Sequence, residues 1–158
     1  MTRAQSEPAF THEIEIGVPP ATVHAFLCDL HNYVELHPLI ESIRELPPTG
    51  ARPDAHRFRV VDRIPFGPFR LRTTYTAELA PIGEREVHGR AWQTPGVRLH
   101  SIYRLEDASS GTRVLEEVSI EAPWGLRGFV VRRAREAHCV TLQRTKAHLE
   151  RTGANENL

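Results

Sequence analysis

The order of patterned segments constrains this chain more than any single motif. One strand and a short helix-rich stretch come first. A long series of alternating segments follows, and one helix of about 26 residues, spanning 126–151, closes the pattern. Projected at ~100° per residue, that helix gathers Arg132, Arg135, Glu136, Gln143, Lys146 and Glu150 on one arc. Leu126, Val130, Ala134, Ala137, Thr141 and His148 gather on the opposite arc. The apolar arc covers more than half the circumference, which fits a helix gripped by a concave sheet better than one resting on a flat sheet. Ala134, Ala137 and Thr141 at its centre are small. Well-packed interiors leave few voids, so small residues there mean either a closely approaching sheet or a hollow.

The segments before the helix read as strands. In Phe10–Ile16, Ile14 and Ile16 alternate with Glu13 and Glu15, the pattern of a half-buried strand. Gly17, Val18, Pro19 and Pro20 break it. A helix starts near Pro20, since proline is tolerated in a first turn, with Val23, Phe26, Leu27 and Leu30 on its apolar face. A second short helix or turn over 30–36 ends at Pro38. Further strands are expected over Ile40–Leu46, 55–64, 69–79, 84–93, 97–106 and 112–121. They are separated by short turns rich in glycine and proline, which favour antiparallel neighbours. The fold class is therefore α+β.

Composition bounds the function. A chain of 158 residues is expected to form one domain, here 10–151, between tails at 1–9 and 152–158. Twenty basic and twenty acidic residues give no net charge, which argues against non-specific nucleic-acid binding. The final helix is locally basic, with seven Lys/Arg against two Glu over 126–151. Cys28 and Cys139 are too few for a disulfide scaffold and read as buried thiols. The first nine residues are polar and no apolar run reaches the ~18 residues a membrane span needs, so a cytoplasmic location is expected.

Three stretches carry a resemblance to a known family. The first runs from Ile14 through Pro19, Pro20, Ala21, Val23 and Phe26 to Asp29. The second passes from Asn32 and Tyr33 through His37, Pro38, Leu39 and Ile40. The third extends from Gly128, Phe129 and Val130 to Leu149 and Glu150. In that order the chain resembles the START-like or SRPBCC superfamily, closest to its polyketide cyclase/dehydrase-type branch. The resemblance implies a helix-grip fold, in which a curved antiparallel sheet of about seven strands wraps a long C-terminal helix, with two short helices after the first strand. It also implies an internal pocket for a lipid, polyketide or other hydrophobic ligand. Three functions compete. One is a carrier of such a ligand, one is an aromatase/cyclase or dehydratase acting on it, and one is a relative of the quinone-chaperone or ribosome-associated proteins. A monomer or homodimer is expected.

No phosphate loop, nucleophile elbow or metal-ligand spacing is present, so neither cofactor nor metal is expected. His24, His31 and His37 read as surface or capping residues. Period-two alternation turns Val114, Glu116, Val118 and Ile120 inward, which buries a carboxylate. A buried carboxylate needs a partner or a raised pKa. Tyr75, Tyr103, Arg133, His138 and Arg90 are the candidates. With Tyr75 and His138, Glu116 is a candidate general acid/base; the alternatives are a ligand-orienting role and a structural one. Candidate lining residues on the strands are Phe58, Val60, Leu71, Thr73, Tyr75, Leu99, Tyr103, Glu116 and Val118. Those on the helix are Val130, Ala134, His138 and Thr141. Among the large aromatics, Trp92 lines the pocket or ends an exposed strand, and Trp124 caps the mouth. Phe66, in the turn between Pro65 and Pro68, is a candidate lid.

Overall fold

A computed structural model describes residues 7–156. Seven strands, β1 (Phe10–Ile16), β2 (Ile40–Leu46), β3 (His56–Phe66), β4 (Phe69–Ile82), β5 (Glu86–Gln93), β6 (Val97–Ala108) and β7 (Gly111–Glu121), form one antiparallel sheet. Its order is β1-β7-β6-β5-β4-β3-β2, so β1 and β2 are its two edges. Helix α1 (Pro20–Leu27) and a 3-10 turn (Leu30–Tyr33) link β1 to β2, and α2 (Arg127–Glu156) closes the chain. This is the helix-grip arrangement that the family resemblance implies.

The groove between sheet and helix is filled at one end only. Val23, Phe26 and Leu27 of α1 pack with Val87, Leu105 and Val114 of the sheet and with Leu142 and Leu149 of α2 in one core cluster. A smaller cluster of Phe10, Val118 and Ile120 seats Val130, Val131 and Ala134 of α2. Full burial of each large apolar side chain contributes about 1.5–3 kcal/mol. The close approaches of α2 to the sheet are to β1 and β7. Its N-terminal half therefore rests on one side of the sheet and leaves the space over β3–β6 open.

The chain ends correct the expected boundaries. Residues 1–6 and 157–158 lie outside the described residues. Ala9 donates its N–H to Val118 O at 2.7 Å, joining the sheet edge. Helix α2 continues past residue 151 to Glu156 because its last turns dock on the β1–α1 link. The Glu150 carboxylate accepts the Gly17 N–H at 2.9 Å, and Lys146 Nζ donates to Glu15 O at 2.6 Å.

The same link constrains Gly111. Its φ is 147°, and a Cβ there would lie 2.3 Å from Ile16 O and 2.7 Å from Val18 N. The neighbouring Thr112 hydroxyl donates to Val18 O at 2.7 Å. Gly111→Ala is expected to cost about 2 kcal/mol or more, read as a lower midpoint in urea; an unchanged midpoint would contradict this account of the junction.

Candidate functional site

The unfilled end of the groove is a cavity of about 200 Å³. An apolar cavity of about 150 Å³ already accommodates benzene. Small residues make the space: Ala77 and Ala91 on the sheet, Ala134 and Ala137 on α2. Gly89 serves the same wall by close approach, since a Cβ there would meet Ser101 Oγ at 2.4 Å. The 3-10 turn and the segment after it close one side with Tyr33 and His37.

One polar pole is built on Glu116. It faces inward from β7 and is 1% exposed. Its carboxylate bonds His12 Nδ1 at 3.0 Å and His138 Nδ1 at 2.5 Å, and accepts a hydrogen bond from Tyr103, directly opposite on β6. Burial pushes the Glu116 pKa up, but the His138 charge and the donors from His12, His138 and Tyr103 outweigh it and hold it at about 2. Burial likewise opposes the His138 charge, yet the Glu116 carboxylate raises its pKa above the ordinary value. Each group therefore favours the charged form of the other. His138 lines the cavity, and its Nε2 has no hydrogen-bond partner among the described residues. His37, 6.4 Å away between ring centroids, is the opposite case. Burial, with the His138 and Arg144 charges, pushes its pKa down to about 3. Its Nδ1 accepts the Leu39 N–H at 3.2 Å, so the neutral ring carries its proton on Nε2.

A second pole lies four strands away, on β3 and β4. Asp62 is 6% exposed and lines the cavity beside Tyr75, whose hydroxyl donates to Asp62 Oδ1 at 3.3 Å. Burial pushes the Asp62 pKa up to about 6, the Tyr75 hydrogen bond pulling the other way.

With this geometry in place, the comparisons decide the family. Residues 7–150 match the family model described as "Polyketide cyclase / dehydrase and lipid transport". The chain belongs to this family. Members of the polyketide cyclase / dehydrase and lipid transport family are named for both chemistry and carriage, so membership leaves the two open. Three solved structures share the fold. The di-domain ARO/CYC BexL of the BE-7585A biosynthetic pathway aligns at TM-score 0.70 and 16% identity, over 88% of this chain and 48% of that one. The di-domain ARO/CYC StfQ of the steffimycin pathway aligns at TM-score 0.72 and 11% identity, over 91% and 51%. A START superfamily protein from Mycobacterium smegmatis aligns at TM-score 0.62 and 13% identity, over 89% and 97%. The chain spans about half the length of the two di-domain proteins. No match emerged among curated proteins.

Within this family member the expected site residues divide. Tyr75, Leu99, Tyr103, Val130, Ala134, His138 and Thr141 line the cavity. Glu116 lies behind that wall and bonds to it. Phe58, Val60 and Val118 are buried in the core clusters instead. Thr73 is not among the lining residues; it is half-buried directly across from cavity-lining Asp62. The remaining four lie outside the cavity wall. Trp124 is 98% exposed, because nothing packs over the β7–α2 link. Leu71, 44% exposed, sits near the β3–β4 hairpin tip, beyond the cover of α2. Trp92 stands on the outer face, across from Thr76 and Arg98. Phe66 is 52% exposed at the hairpin end, but its ring meets cavity-lining Phe129 edge-on at 5.7 Å.

Other expectations are corrected. Arg133 pairs with Glu136 at 3.2 Å rather than with Glu116. His37 lines the cavity rather than the surface. His31 is exposed, and it is Asp29 that caps the 3-10 turn by accepting the His31 N–H at 2.9 Å. Cys28 and Cys139 are free and half-buried. Among the described residues no cluster has metal-ligand geometry, and no helix is long and apolar enough to cross a membrane. The residues missed were Asp62, His37 and His12. Asp62 continues the alternation of Phe58 and Val60 by one step, and His12 precedes Ile14 and Ile16 by one step on the same face.

Proposed function

We propose that this protein binds a hydrophobic small molecule in the cavity between β3–β6 and the N-terminal half of α2. The observation that carries this reading is an apolar space floored by Ala77 and Ala91, roofed by Ala134 and Ala137, and polar only at discrete points. Ligand sites have that character: an apolar wall with a few placed polar groups. The membership in a family named for polyketides and lipids supports it. In freshly purified protein, native mass spectrometry is expected to find a bound small molecule or, with an empty protein, saturable one-to-one uptake of an apolar aromatic. Absence of both would overturn the reading.

A second reading rests on His138. Its Nδ1 is held by Glu116 and its Nε2 is left unbonded on a cavity-lining residue, the arrangement of an oriented proton donor and acceptor. Neutral His37 adds an Nε2–H donor nearby. A cyclisation or dehydration of the bound molecule is the chemistry such groups serve, and two structural relatives are named ARO/CYC. His138→Gln separates the readings: a carrier keeps its ligand with altered affinity, whereas an enzyme keeps binding and loses turnover.

A further inference from the structure

The interior buries three carboxylates with unequal surroundings: Glu78 lines the cavity and pairs with Arg52 at 3.4 Å. Glu116 is bonded by two histidines and a tyrosine. Asp62 accepts from Tyr75 alone, over 3.3 Å, and forms no ion pair among the described residues. A carboxylate offers about four lone-pair positions, and the Tyr75 hydroxyl fills one. A buried charge is costly unless paired, so Asp62 is a charge awaiting a partner on a wall that faces open space. Thr73 strengthens the point. It lies directly opposite Asp62 in the β3–β4 register, and its buried Oγ1 has no hydrogen-bond partner among the described residues.

Among the described residues none of the neighbouring cations is paired with Asp62, and cavity-lining Arg90 sits on β5, two strands away, opposite Glu78 and His100. Arg133 pairs with Glu136, and His138 with Glu116. Arg63 on β3 and Arg72 on β4 both pair with Glu41. His37 is neutral, with its Nδ1 taken by the Leu39 N–H.

We propose that Asp62, Thr73 and Tyr75 form the seat of a protonated amine, so that the ligand is a hydrophobic amine whose apolar body lies against Ala77, Ala91 and Leu99. This rests on the cavity being a small-molecule site. An ammonium supplies a positive charge and up to three N–H donors. One donor meets the free Asp62 oxygen, another meets Thr73 Oγ1, and the Tyr75 ring adds a cation–π contact. A neutral hydroxyl leaves the carboxylate uncompensated, and an anion is repelled by it.

Three naphthyl probes test this by calorimetry above the Asp62 pKa: naphthylmethylamine, the neutral isostere naphthylmethanol, and naphthoate. The amine is expected to bind about tenfold or more tighter than the alcohol, and the anion weakest. Asp62→Asn removes an unneutralised buried charge and keeps the fold. It should bring the amine down to the level of the alcohol and leave the alcohol unchanged. Thr73→Val should weaken the amine a few-fold and spare the alcohol. Equal binding of amine and alcohol, tighter binding of the anion, or a preference that survives Asp62→Asn overturns the amine assignment while leaving the cavity as a ligand site. Failure of all three probes to bind overturns both.

Discussion

Glu116→Gln is expected to lower the unfolding free energy by about 3 kcal/mol near pH 6. The substitution is nearly isosteric, so it isolates charge from packing. The carboxylate is 1% exposed and holds His12, His138 and Tyr103 together. An amide accepts at one atom only and turns its NH2 toward groups that are themselves donors. The size follows from linkage: a carboxyl held at about 2 instead of its ordinary 4.5 favours the folded state by about 3 kcal/mol when ionised.

The sign of the pH dependence is fixed. The Glu116 pKa is depressed in the folded state, so its contribution is present above 4.5 and is lost as pH falls through about 2. The His138 pKa is raised, so its contribution is complete below 6.5 and is lost as pH rises through the folded value. The difference between wild type and Glu116→Gln should therefore be greatest between pH 4.5 and 6.5 and shrink on both sides. Urea unfolding of both proteins across that range reads it directly. A difference that does not vary with pH would mean that Glu116 acts through shape alone.

Ala134→Phe is expected to weaken binding of an apolar aromatic at least about 100-fold while changing stability by less than about 1.5 kcal/mol. Ala134 is half-buried where α2 roofs the cavity. A phenyl ring there enters space that no side chain fills, so it competes with the ligand more than it strains the core. Ala147, exposed on the same helix, provides the control: Ala147→Phe should leave affinity unchanged. Equal affinities of the two variants would place the ligand elsewhere.

How far the sequence was legible follows from what alternation encodes. A period of two assigns each residue to a face, and Glu116 was correctly turned inward because three apolar neighbours on β7, Val114, Val118 and Ile120, share its phase. The same rule extended by one period, two residues, on β1 and β3 reaches His12 and Asp62. Both were passed over because a polar residue at the end of an apolar run reads as the end of the burial. Alternation does not say whether anything covers a face. Leu71 shares a face with Tyr75, yet the first stays exposed at an uncovered hairpin end and the second lies under α2. Trp124 was misplaced for the same reason. His37 carried no periodic signal, since it is placed by Pro38 and by its own bond to Leu39. The end of α2 was read short at Thr152 and Gly153 because glycine ends isolated helices; here the docking of Lys146 and Glu150 on the β1–α1 link carries the helix onward.

The central claim is that the open space over β3–β6 is where the ligand goes. Methyl carbon–proton NMR of alanine-labelled protein, titrated with naphthylmethylamine, tests it most directly. Saturable shifts are expected at Ala77, Ala91, Ala134 and Ala137, which line the cavity, with Ala108 and Ala147 unmoved. Shifts confined to exposed alanines, or none at saturating probe, would contradict the account.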